Sequence, residues 1–146
     1  MIYGQCQYYN DELNCWRKNI ALHKDELQES VRQMATVMDH PVVTPANEKI
    51  RVDQLMVQDQ QFDNITNQII GQKQRVERTV SYPDKPIDVS VSDMQDSLLM
   101  KVRNAERNFS KTKYSCSMHL SSLLSNTSFA FRINNADTES TATIYA

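Results

Sequence analysis

Only two glycines, Gly4 and Gly71, occur in this chain of 146 residues, and its four prolines are confined to two short windows, Pro41 with Pro45 and Pro83 with Pro86. Together they make up about 4 % of the chain, against roughly 12 % in an average protein. Sandwiches, barrels and doubly wound sheets need turn residues at short, regular intervals, so this scarcity disfavours them. It also excludes two kinds of nucleotide site, because neither G-x-G-x-x-G nor G-x-x-x-x-G-K can be written with glycines at 4 and 71 alone. Long uninterrupted helix with two corners is what remains.

The apolar spacing agrees. Leu13, Trp16, Ile20, Leu27, Val31, Met34 and Met38 recur in steps of three, four or seven, with His23 on the same face. This predicts a first helix over about residues 10–39, ending before Pro41, since proline disfavours helical geometry in the preceding residue. Thr44 suits an N-cap and Pro45 the first helical position. A second helix over about 45–80 follows, its seam Val52, Leu55, Phe62, Ile69, Val76 and Val80 diluted by Asp59, Thr66 and Lys73. Ser92 with Gln95 reads as a capping box opening a third helix over about 92–124. Its seam is Met94, Leu98, Val102, Ala105, Phe109, Cys116, Leu120 and Leu123. Gly71 is the one anomaly, inside the second helix, where it predicts either a close helix crossing or a local bend.

Such long helices cannot bury their stripes alone, and short proline-containing connectors make consecutive helices antiparallel neighbours. The expected fold is all-α: an elongated up-down-up bundle of three long helices with coiled-coil-like packing, occupying residues 1–124. Residues 125–146 are rich in Ser, Thr and Asn, and the alternation of Phe129, Phe131 and Ile133 predicts a C-terminal tail containing one short extended segment.

Composition narrows the setting. The chain is 40 % hydrophobic and 23 % charged with a formal net charge of −2, and its mean hydropathy is −0.59. No apolar run is long enough to span a bilayer, and the balance offers no general attraction to nucleic acid or anionic lipid. Three cysteines, Cys6, Cys15 and Cys116, form no disulfide framework. With no basic and apolar leader at the start, the expectation is a cytoplasmic protein with reduced thiols.

Several residue sets invite chemistry. Di-metal bundles need Glu-x-x-His pairs, but Ile20, Val37 and Cys116 precede His23, His40 and His119 by three. Cys116-x-x-His119 places a thiol and an imidazole on one helix face, and a parallel first helix brings His40 within reach, so Cys116, His119 and His40 are the candidates for a metal or small-ligand site. The bland alternative is a buried thiol beside a half-exposed histidine. A Cys/His nucleophile is disfavoured because Cys116 lies on the apolar seam. Arg103, Arg107 and Lys111 form a basic stripe, and Lys73, Arg75 and Arg78 a cluster; both read as solvated faces, with no nucleic acid expected. The second helix also carries Gln54, Gln58, Gln61, Gln68 and Gln72, neither strongly charged nor apolar, which predicts a partner-binding or self-associating face.

Some of these residues resemble a family. Tyr9-Asn10-Asp11-Glu12-Leu13-Asn14-Cys15-Trp16, Ile20 and His23-Lys24-Asp25-Glu26-Leu27 are similar to the opening helix of small uncharacterised helical-bundle proteins of Bacteroidetes-type bacteria. Val52-Asp53-Gln54-Leu55 through Phe62, Ile65 and Ile69 resemble that family's Gln-rich middle helix. Leu98, Val102, Phe109, Tyr114 and Leu123 resemble its closing one. The likeness covers about residues 8–124. His23 stands where the family has an aromatic residue, and the segment after Leu124 has no counterpart. The resemblance implies a bacterial cytosolic helical bundle and no catalytic residues. From the three long seams and the absence of an assembled catalytic set in the sequence, the expected function is non-enzymatic, without a cofactor, and exercised through contact with another protein or a second copy.

Overall fold

The computed structural model describes residues 2–38, 45–81 and 88–136. They form three helices, α1 (Ile2–Met38), α2 (Pro45–Val80) and α3 (Val89–Ala136), every pair of which is in contact, with no strand among the described residues. At 1.5 Å per residue, α1 and α2 are each about 55 Å long and α3 about 72 Å.

Side-chain pairs fix the directions. Tyr9 meets Ser92, Glu12 meets Gln95 and His23 meets Glu106, each pair 83 residues apart, so α1 and α3 run parallel. Across α2 and α3 the partners are Gln72 with Gln95, Gln68 with Lys101 and Gln58 with Thr112, the α2 number falling as the α3 number rises. The bundle is therefore up-down-up. Its core contains the expected seams: Leu13, Trp16, Ile20, Leu27 and Met34 from α1, Leu55, Phe62, Ile69 and Val76 from α2, and Leu98, Val102, Ala105, Phe109 and Cys116 from α3 are all buried. Phe62 and Phe109 meet edge-on at 5.8 Å in mid-bundle, and the His23 ring stacks on Phe62 at 5.8 Å.

Four local readings are corrected or sharpened. First, α1 begins at Ile2 rather than near residue 10, and Cys6 and Tyr9 are buried with the core. Second, the Ser92–Gln95 capping box does not form. Asp88 caps α3 instead, its carboxylate accepting from the Ser90 N–H at 3.0 Å, while Ser92 and Gln95 turn inward to other helices. Third, α3 continues to Ala136, so Phe129, Phe131 and Ile133 lie on helical backbone and not on an extended segment. No glycine or proline interrupts residues 125–136, and Ser, Thr and Asn each weaken a helix by only a few tenths of a kcal/mol. Fourth, a Cβ built on Gly71 would meet nothing within 4 Å, so no close helix crossing requires that glycine. Thr44 and the ten residues following Ala136 in the tail, like Pro41, Pro83 and Pro86, lie outside the described residues.

Candidate functional site

Three polar layers interrupt the apolar core. At one end the Gln95 side-chain NH2 donates to the Tyr9 carbonyl and the Glu12 carboxylate, and Gln72 donates to both the Gln95 side-chain oxygen (3.1 Å) and the Val91 carbonyl (2.9 Å). Gln72 is 0 % exposed and its own side-chain oxygen has no partner. At the middle, His23 Nε2 lies 2.7 Å from Glu106, and Lys24 reaches Asp59 and Asp63. Asp63 holds the Lys24 ammonium above its usual range. Near the far end Glu48, in the first turn of α2 where the helix dipole favours an anion, pairs with His119 of α3 and is only 1 % exposed.

That last layer is where the metal candidates fall. Cys116 and His119 stand one turn apart on α3 as expected, but His119 Nε2 is occupied by Glu48. His40 lies outside the described residues. Among the described residues, no three His, Cys, Asp or Glu side chains come together to hold a metal ion. Burial raises the Cys116 thiol above its usual value, outweighing the opposing influence of Arg51. A thiol kept protonated at neutral pH is a poor nucleophile. Arg103, Arg107 and Lys111 are exposed, as a solvated stripe should be.

The glutamine row divides in two. Gln72 belongs to the buried layer and not to a docking face, because its donors find partners only inside the bundle. Gln68 accepts from Lys101, and Gln58 donates to the Thr112 hydroxyl (2.6 Å) and the Asn108 carbonyl (3.4 Å). Gln54, Gln58 and Gln61 line an open groove of about 560 Å³ between α2 and α3. Its other walls are Ile50, Asp53 and Val57 from α2 and Asn108, Lys111 and Thr112 from α3. Gln61 and Asn108 are shared with a second hollow of about 250 Å³, where Asn64, Ile65, Asn104 and Lys101 continue the same wall. The two form one trough from Ile50 to Ile65, about 22 Å long at the helical rise.

Three features set this trough apart. Ile50 and Val57 remain 57 % and 58 % exposed in it. Its rim is dominated by amides, which donate and accept at once and cost less to desolvate than charges. Finally, the seams involving α1 are crossed by ion pairs, Lys24–Asp59 and Lys24–Asp63 towards α2, Glu26–Lys113 and His23–Glu106 towards α3. Between Glu48–His119 and Gln68–Lys101, Gln58 adds a neutral bridge from α2 to α3. Sequence reasoning found the α2 wall from its glutamines. It missed the α3 wall, whose signal is Asn104 and Asn108 one turn apart and whose relevance appears only with the register. No helix of the described residues is long and apolar enough to cross a membrane. No protein-family model, curated protein or solved structure matches the chain.

Proposed function

We propose that this chain is a non-enzymatic contact protein, working in the bacterial cytoplasm, that docks a protein partner in the α2/α3 trough. The observation that carries this is the pairing of exposed Ile50 and Val57 with a rim in which amides outnumber the charged side chains. Apolar side chains left half in water gain from being covered. Neutral amides make up most of the rim, so a partner covering it meets few charges beyond Asp53 and Lys111. The cytoplasmic setting is supported by Cys6, Cys15 and Cys116, all free thiols, and the bacterial one by the resemblance of the opening helix.

The test is photo-crosslinking in cells of the native host. A photoreactive residue at Gln54 or Gln61 is expected to give discrete adducts, while one at Gln28 on the outer side of α1, also exposed, gives none. Equal labelling from both positions, or none from either, overturns the assignment.

A further inference from the structure

We infer that the occupant of the trough is a second copy of this chain, docked antiparallel about a two-fold axis passing level with the midpoint between Leu55 and Met56. The inference rests on the contact reading above and names its partner. A two-fold interface must be self-complementary, with residue i meeting residue j and j meeting i. For two α2 helices crossing antiparallel, facing positions must therefore have a constant sum of residue numbers. The α2 wall of the groove, like any stripe at helical spacing, is compatible with that condition: 50 pairs with 61, 54 with 57 and 53 with the half-buried 58, each summing to 111. Ile50 then lies under Gln61 of the second copy and Val57 under its Gln54, so each exposed aliphatic group is covered by the methylene stem of an amide.

The charges agree with the same axis. Asp53 and Lys111 both line the groove, both are exposed, and neither has an ion pair among the described residues. The pairs Gln72–Gln95, Gln68–Lys101 and Gln58–Thr112 sum to 167, 169 and 170, which puts Lys111 level with α2 residues 56–59. The two-fold carries Asp53 to level 58. Asp53 of one copy and Lys111 of the other thus stand at the same height on facing walls, and the symmetry makes two such pairs. A trough about 22 Å long and about 10 Å wide, one helix diameter, covers on the order of 220 Å², well under the roughly 800 Å² per partner of a standard interface, so the dimer belongs among weak ones, with dissociation constants in the range of about 10 µM to 1 mM.

The experiment is sedimentation equilibrium of the purified full chain at low salt, over loadings from about 10 µM to 1 mM, with helix content of each variant checked by circular dichroism. Wild type is expected to move from monomer to dimer. Asp53→Lys and Lys111→Asp should each weaken association at least tenfold by placing like charges opposite one another. The double variant D53K/K111D should return to within about threefold of wild type, because the exchange restores both pairs. Val57→Asp should remain monomeric. A wild type monomeric at the highest loading, or a double variant no better than its parents, overturns the inference. If the chain is monomeric while Gln54 and Gln61 still crosslink to a different protein, the second copy is refuted and the contact reading stands. If association persists undiminished in Val57→Asp, the second copy binds elsewhere and this inference falls, while the contact reading rests on crosslinking at Gln54 and Gln61.

Discussion

Gln72 and Gln95 are two fully buried amides in the core of a helical bundle, and their energetics can be worked from the contacts. Replacing Gln95 by Leu removes its donations to the Tyr9 carbonyl and Glu12 and leaves the Gln72 NH2 with the Val91 carbonyl alone. Replacing Gln72 by Leu strands the Gln95 oxygen, which accepts from it at 3.1 Å. A buried polar group left without its partner costs about 1–3 kcal/mol, so each single variant should lose about 2 kcal/mol. The double variant strands neither amide and also removes the Gln72 oxygen that already lacks a partner. It should lie within about 1 kcal/mol of wild type, a coupling of about 3–4 kcal/mol against the summed single losses, which distant sites do not show. Urea unfolding followed by Trp16 fluorescence and far-ultraviolet circular dichroism measures all four corners of the cycle. Additive losses, with the double variant the least stable of the four, would refute the claim that these amides are held by each other.

Other outcomes follow from the same contacts. Phe62→Ala should cost about 3–5 kcal/mol, since Phe62 is fully buried between His23 and Phe109, and calorimetry should show the corresponding fall in Tm. Gly71→Ala should stabilise by about 0.5–1 kcal/mol, because its Cβ meets nothing within 4 Å; a destabilised variant would reveal a constraint at this position. Burial raises the Cys6 and Cys116 thiols, and the Asp63 carboxylate raises Lys24. Groups raised in the folded state add stability that is complete below their unfolded values, about 8.5 for a thiol and 10.4 for lysine, and lost as pH rises through the folded ones. Unfolding free energy should therefore decline above about pH 8.5, less steeply in Cys116→Ala; a flat profile to pH 10 would contradict it. On the acid side Lys113 holds the Glu26 carboxyl low, but this pair is half exposed, so Glu26→Gln should cost no more than about 1 kcal/mol near neutral pH.

The helices were legible because their seams repeat at helical spacing and because proline is confined to the corners. Leu13, Phe62 and Phe109 needed no further information to be placed in the core. Cys6 and Tyr9 were overlooked at the start of α1 because neither looks like a large aliphatic seam residue, although the steps 6, 9, 13 and 16 continue the stripe. Ser92 and Gln95 misled for a different reason: a local capping pattern competed with tertiary partners on α1 and α2, and the tertiary partners won. The diluting positions of α2 also acquire a meaning only in three dimensions. Asp59 faces Lys24, and Thr66 returns its hydroxyl to the Phe62 carbonyl. Among the glutamines, spacing alone does not separate Gln72, inside the core, from Gln54 and Gln61, in the trough. That distinction depends on which flank of α2 meets α3, which is set by packing.

Side-chain amide resonances offer the most direct test of the trough as a self-docking surface. In a dilution series of two-dimensional ¹H–¹⁵N spectra, the NH2 signals of Gln54, Gln61 and Asn108 should shift progressively with concentration, while those of Gln7 and Gln28 on α1, both exposed, stay fixed. Trough signals that do not move, or α1 signals that move equally, would contradict the account.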